Sequence, residues 1–149
     1  MKRSLLIASD HGGWELKEKI KSHFSDIQWI DLGTNSATQS VDYPDYADLL
    51  CHKIIPQSNE PQGILICGSG QGMAMRANKF PQIRAALVWN EESSRLAREH
   101  NNANILCLGG RLLEENLALN CVKIFLVTDF AGGRHEERIK KLNKNVPPT

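Results

Sequence analysis

The chain has 149 residues, enough for one sizeable hydrophobic core, and its 18 Lys and Arg against 17 Asp and Glu leave a net charge of only +1. So even a balance gives no overall field that would recruit nucleic acid or a membrane surface, and we expect neither partner. No apolar run approaches the ~20 residues that cross a bilayer, and the four cysteines include no Cys-x-x-Cys pair that would indicate a zinc site or a disulfide scaffold. We therefore predict one cytoplasmic domain over residues 1–149.

Apolar, strand-like runs alternate with helical patterns along the chain. The first run, at residues 4–8, ends in a polar loop, and helical spacing follows from residue 14 to residue 24. A second strand is predicted at residues 27–32. A polar, turn-like segment at residues 38–44 then leads to a helix over residues 46–54.

The remaining predicted elements are strands at residues 64–66, 83–89 and 105–108, helices at residues 74–78, 91–100, 113–127 and about 133–142, and a flexible tail at residues 143–149. Five strands that alternate with helices predict a Rossmann-like three-layer α/β/α fold with a five-stranded parallel sheet. Ligands bind at the carboxyl ends of the strands in such sheets. Asp10, His11, Cys67 and Arg111 each follow a predicted strand closely, so we expect them to converge.

Residues 63–73 form a strand–loop–helix corner with a thiol at its turn. Cys67 ends the apolar run, and Gly68, Gly70 and Gly72 follow within five residues. Glycines allow backbone N–H groups to turn towards an anion, and the start of the next helix adds partial positive charge. The corner therefore suits a thiolate beside an oxyanion or a phosphate, although a lone intracellular cysteine is more often a small buried apolar residue.

Seven short motifs, in the same order along the chain, resemble the type B ribose-5-phosphate isomerases. They occupy residues 10–12, 42–46, 63–72, 77–79, 83–86, 96–101 and 132–135. The resemblance implies an aldose–ketose isomerase of the non-oxidative pentose phosphate pathway, which interconverts ribose 5-phosphate and ribulose 5-phosphate without a cofactor or a metal. Because the wider family includes isomerases of allose 6-phosphate and galactose 6-phosphate, those sugars remain alternatives.

The resemblance also implies a set of catalytic residues. Cys67 moves the proton between C1 and C2 through a cis-enediolate, while Asp10, Ser69 and His100 assist opening of the sugar ring. The loop that binds the oxyanion consists of Gly68, Ser69, Gly70, Gln71 and Gly72. Many family members have threonine in place of Ser69, and both residues carry a hydroxyl that can relay a proton. From the residues alone, Asp10 is equally suited to cap a helix and His100 to act as a cation at a helix end.

The resemblance also implies that Asn101 binds the sugar and that His11 lies near the ring oxygen or the phosphate. Tyr43, which lies in a similar loop, is a further candidate for lining the pocket. The phosphate is held by Arg111, Arg134 and Arg138. Arg134 and Arg138 are four residues apart and share one helix face, a spacing that solvated helix surfaces also show.

The resemblance further implies a homodimer, or a tetramer built from dimers, in which each site is shared between two chains. A dinucleotide-binding module is a weak alternative, because the glycines read G-x-G-x-G instead of G-x-G-x-x-G. A non-catalytic sensor of sugar phosphates is the other alternative. We expect Cys51, Cys107 and Cys121 to pack in the core, and we expect Gly70→Val to block the anion loop while leaving the core able to fold.

Overall fold

A computed structural model describes residues 2–149 of the chain as alternating strands and helices. The strands are β1 (Ser4–Ser9), β2 (Gln28–Asp31), β3 (Gly63–Cys67), β4 (Ala85–Leu87) and β5 (Ile105–Gly109). The helices are α1 (Trp14–His23), α2 (Tyr43–Cys51), α3 (Gln71–Ala77), α4 (Glu91–Glu99), α5 (Glu115–Val127) and α6 (Arg134–Leu142), and a short 3-10 helix at His11–Gly13 precedes α1. Within residues 2–149, none of the helices combines the length and the apolar composition needed to cross a bilayer.

The five strands form one parallel sheet in the order β2-β1-β3-β5-β4, which confirms the predicted fold class. β3 is the middle strand, and all five of its residues are buried, as expected for a strand covered on both faces. One apolar cluster lies on the face covered by α1, α4 and α5, and a second lies on the face covered by α2 and α3. The two clusters and the sheet make up the three layers.

Several element boundaries differ from those predicted. α2 begins at Tyr43 because Pro44 occupies its first turn, where the missing N–H of proline costs no hydrogen bond. β4 covers only three residues because its parallel pairing with β5 runs from Ala85 to Leu87. α5 starts at residue 115 because the carboxylate of Glu114 accepts two backbone N–H groups and caps the helix.

A buried ion pair ties α1 to the loop that follows β2. The Nζ of Lys17, a fully buried residue, lies 2.7 Å from Asp31 Oδ1 and 2.5 Å from the carbonyl oxygen of Thr34. Burial acts to raise the pKa of Asp31, but hydrogen bonds from Lys17 and Lys21 outweigh it and hold the pKa below 3.8. The N–H of Thr34 also donates to the carbonyl of Ser9, so the ion pair braces the carboxyl end of β1.

A second buried cation, Arg98, holds the turn between α4 and β5. Arg98 is 2% exposed and lies over the ring of Phe125. Its guanidinium donates to Asn102 Oδ1 and to the carbonyl of Ala103, among other acceptors. Asn102 has a φ of +46°, a left-handed conformation that few residues other than glycine adopt. Arg98 therefore fixes the tight turn between α4 and β5.

Lys17→Met should lower the free energy of unfolding at pH 7 by about 3 kcal/mol, because it removes a buried ion pair and leaves the Thr34 carbonyl without its donor. The lowered pKa of Asp31 contributes stability that is present above pH 3.8 and is lost as the pH falls through the folded-state pKa. The difference in the free energy of unfolding between parent and variant, measured by urea titration, should therefore be largest at pH 5–7 and become smaller towards pH 3.

Lys19→Met is the matched control, since the Lys19 side chain is 60% exposed. It should change stability by no more than about 0.5 kcal/mol. A Lys17→Met deficit that is the same at pH 7 and pH 3 would contradict the assignment of the stabilisation to ionised Asp31.

Candidate active site

Three loops meet at the carboxyl edge of the sheet, after β1, β3 and β5. A Cβ placed on Gly12 would lie 3.2 Å from Cζ of Arg111 and 3.3 Å from the backbone nitrogen of Gly68, so the three loops are in direct contact. The backbone N–H of Arg111 donates to the carbonyl of Gly68 at 3.0 Å, and that of Asp10 donates to Ile66 at 3.2 Å. The side chain of Arg111 thus extends across the other two loops.

Cys67 is the last residue of β3, and its sulfur accepts a hydrogen bond from within the glycine loop. The backbone N–H of Gly70 donates to Sγ at 3.2 Å, and Cys67 is 4% exposed. Gly70 has a φ of +77°, which allows the chain to turn back towards the sulfur before α3 begins at Gln71. The corner therefore directs a backbone donor at the position where a thiolate would carry its charge.

The expectation that Gly70→Val leaves the core intact is wrong. A Cβ on Gly70 would lie 2.8 Å from the carbonyl carbon of Leu108, in the backbone of β5, and 2.8 Å from Cδ1 of Leu87. The positive φ adds backbone strain for any β-branched residue. Gly68 is a better position for a probe, because an added Cβ there would make an ordinary 3.4 Å contact with Cδ of Arg111.

Asp10 and His11 occupy the loop after β1. Asp10 is buried, and its Oδ1 accepts the N–H of Gly13 at 3.1 Å, which is the helix cap that the sequence allowed. Nδ1 of His11 accepts the N–H of Val41 at 3.2 Å. Because Nδ1 is the acceptor, the neutral ring carries its proton on Nε2.

Tyr43 packs directly on the glycine corner. A Cβ on Gly72 would lie 2.5 Å from Cζ of the Tyr43 ring, so only glycine leaves room for the ring there. Tyr43 is the first residue of α2 and not part of a preceding loop as the sequence suggested, so its position is set by the helix.

His100 and Asn101 lie just before β5, at the amino-terminal ends of the strands. His100 caps the carboxyl end of α4, and Asn101 is exposed in the turn that leads to β5. In the sheet, Cys67 pairs with Gly109 at the far end of β5, and a strand of five residues spans about 13 Å. Within one chain, therefore, the structure does not bring His100 or Asn101 to Cys67.

The ring of His100 stacks on that of His135, the second residue of α6. The ring centroids are 4.3 Å apart and the planes meet at 17°. Burial, together with the positive charges of His100, Arg134 and Arg138, lowers the pKa of His135 below 6.5. These four residues therefore form a second cluster, of which sequence reasoning assigned no role to His135.

The other three thiols are buried in the core, as predicted. Burial raises the pKa of Cys51 to about 12 and that of Cys121 to about 11, and it also raises that of Cys107 strongly. Among residues 2–149, no group of three or more His, Cys, Asp or Glu side chains is placed to hold a metal ion.

Comparison with known proteins places this geometry in context. Residues 5–142 match the family model for ribose/galactose isomerases. The chain is 44% identical to a probable ribose-5-phosphate isomerase B of Mycoplasma genitalium, over 95% of each sequence, and 45% identical to a putative sugar phosphate isomerase of Bacillus subtilis, over 92% of this chain and 93% of that protein.

Solved structures give the same result. The crystal structure of a ribose 5-phosphate isomerase from Thermotoga maritima superposes with a TM-score of 0.89 at 48% identity, over 96% of this chain and 99% of that one. The structure of ribose-5-phosphate isomerase B from Mycoplasma genitalium, which contains bound ribulose 5-phosphate, also has a TM-score of 0.89, at 43% identity and over 95% of both chains.

Alkylation should distinguish Cys67 from the core thiols. A thiol with a pKa of about 12 is ionised on the order of 1 part in 10,000 at pH 8, so Cys51 should react slowly with iodoacetamide. We expect peptide mapping to show one early label, at Cys67, and four labels when the chain is first unfolded in guanidinium. Early labelling of Cys51 or Cys121 in the folded Cys67→Ser variant would contradict this assignment.

Proposed function

The chain belongs to the ribose/galactose isomerase family, and we propose that it interconverts ribose 5-phosphate and ribulose 5-phosphate with Cys67 as the base. The observation that supports this most directly is the Cys67 sulfur, which lies in hydrogen-bond contact with the Gly70 amide at a glycine corner crossed by Arg111. A base, an oxyanion-binding loop and a cation for phosphate are what such an isomerisation requires.

The proton transfer is assigned to the carboxyl-edge loops. The Cys67 thiolate removes the C2 proton of the open-chain aldose, and the electron pair moves to give a cis-enediolate with negative charge on O1. Amides of the glycine loop donate hydrogen bonds to this oxygen, a type of stabilisation for which a single donor is worth about 3 kcal/mol of barrier. The sulfur then returns the proton to C1, and the Ser69 hydroxyl relays the O2 proton to O1, which leaves a ketone at C2 and a hydroxyl on C1.

Ring opening precedes this step in the forward direction. Ribose 5-phosphate is mostly a closed ring in water, and opening it requires a proton on the ring oxygen and removal of the O1 proton. We assign the acid to His100, with Asp10 and Ser69 assisting and Asn101 binding the sugar. Ribulose 5-phosphate has its C5 hydroxyl esterified and stays open, so the reverse reaction starts without this step.

The phosphate is assigned to cations from two places: the loops at the carboxyl edge of the sheet and the cluster around His100 and His135. Arg111 extends across the loops beside Gly12 and Gly68, and His11 lies in the same loop group. Arg134 and Arg138 are exposed on α6, where their charges also reach His135. Guanidinium groups bind phosphate oxygens through paired hydrogen bonds, which suits a dianionic substrate group.

A complete site then needs two chains. Because Cys67 and His100 lie at opposite edges of the sheet in one chain, we infer a homodimer in which the carboxyl-edge loops of each protomer face the α4–α6 cluster of its partner. Two-fold symmetry makes two identical sites in this arrangement. A tetramer formed from two such dimers would keep both sites unchanged.

Cys67→Ala should abolish the chemistry at its central step. We expect kcat for ribose 5-phosphate to fall by about 1,000-fold, since general-base catalysis contributes 100- to 10,000-fold. In heavy water, deuterium uptake at C1 of ribulose 5-phosphate should fall with it. Cys107→Ala is the matched control, because it removes a sulfur from the same apolar cluster without touching the loop.

Turnover of Cys67→Ala at the parent rate would show that another group is the base. Assays with allose 6-phosphate and galactose 6-phosphate, run beside ribose 5-phosphate, test the choice of sugar, and a higher kcat/KM for either hexose would replace the proposed substrate. Tight binding of all three sugars by the parent without turnover would favour the non-catalytic sensor.

A further inference from the structure

The side chains of His100 and His135 support each other by ring stacking. Within residues 2–149, neither imidazole takes part in a hydrogen bond with a protein group, and the 4.3 Å stack is the specific contact that the two rings share. An acid–base histidine is commonly oriented by a carboxylate or a carbonyl on its second nitrogen. His100 lacks such a partner, so the stack determines the plane of its ring.

We propose that His135 is a positioning residue, which holds the ring of His100 in the plane from which it can protonate the sugar ring oxygen. This inference rests on the proposed function, in which His100 opens the ring. It assigns a role to a residue outside the set of substrate-binding and catalytic groups described above.

The support for His135 is itself fixed. His135 is 8% exposed, and buried Ile139 anchors the same helix one turn further on. The N–H of Ala131, just before α6, donates to the carbonyl of Glu99 at the end of α4. The first turn of α6 is therefore tied to the last turn of α4, and this contact holds the two rings side by side.

Burial and nearby charges disfavour protonation of His135. The groups that face it are His100 and Glu99 from α4 and Arg134 and Arg138 from α6. Burial and the three positive charges together outweigh Glu99 and lower the pKa of His135. Protonation of both rings would place two positive charges 4.3 Å apart, so the lowered pKa of His135 suits a residue that lies beside an acid.

Two reactions separate positioning of His100 from general damage to the site. Conversion of ribose 5-phosphate needs ring opening, whereas deuterium exchange at C1 of ribulose 5-phosphate in heavy water needs only Cys67 and the glycine loop. His135→Leu, which removes the flat ring, should lower kcat for ribose 5-phosphate by about 10- to 100-fold with little change in KM, as expected for a misplaced catalytic group. The exchange rate should stay within about twofold of the parent.

His135→Phe tests whether the flat ring is what matters. Phenylalanine keeps the stack and removes both nitrogens, so its kcat should stay within about threefold of the parent. His135→Met provides a second non-planar side chain if the leucine variant does not fold, and thermal unfolding shows which variants are native. A phenylalanine variant as slow as the leucine variant, or a leucine variant that loses exchange together with isomerisation, would overturn the positioning role.

His100→Asn, assayed in parallel, separates this inference from the function on which it rests. If His100→Asn isomerises ribose 5-phosphate as fast as the parent, the ring-opening role of His100 is wrong. The positioning role of His135 is then wrong as well. If His100→Asn is slow while His135→Leu matches the parent, only the role of His135 is wrong.

Discussion

The direction of the strands is the constraint on which the rest of this structure depends. Because the sheet is parallel, the loops after β1, β3 and β5 meet at one edge, where Arg111 crosses Gly12 and Gly68 beside Cys67. The same rule makes each helix return to the opposite edge before the next strand begins, so α4 carries His100 away from Cys67. A single chain therefore carries the Cys67 loops and the His100 cluster at opposite ends of the strands.

Beside each cluster, a buried cation donates hydrogen bonds to the backbone of a loop. Lys17 joins α1 to the loop that supports the end of β1, and Arg98 fixes the turn that follows His100. A buried cation that loses its partners is costly, so these loops have little freedom to move without breaking several hydrogen bonds. Rigid placement of groups on both edges is what two protomers need if they are to form a site by docking alone.

Sequence periodicity was sufficient to predict the five parallel strands and the glycine corner, because both depend on local pattern and on one topological rule. It failed where a tertiary contact determines the local structure or the residue that is required. Pro44 looked like a turn residue but opens α2, and Gly70 is required by the backbone of β5, which no local pattern reveals. His135 follows two glycines in a recognisable motif, yet its stack on His100 joins residues 35 positions apart.

The most direct test of a site shared between chains is the activity of a mixed dimer. Cys67→Ala and His100→Asn chains with different affinity tags are expressed together, and the heterodimer is purified. One of its sites carries both substitutions and the other carries neither, so it should recover about half of the parent activity although each homodimer is nearly inactive. A heterodimer as inactive as the two homodimers would contradict the account, because it would place Cys67 and His100 of each site in the same chain.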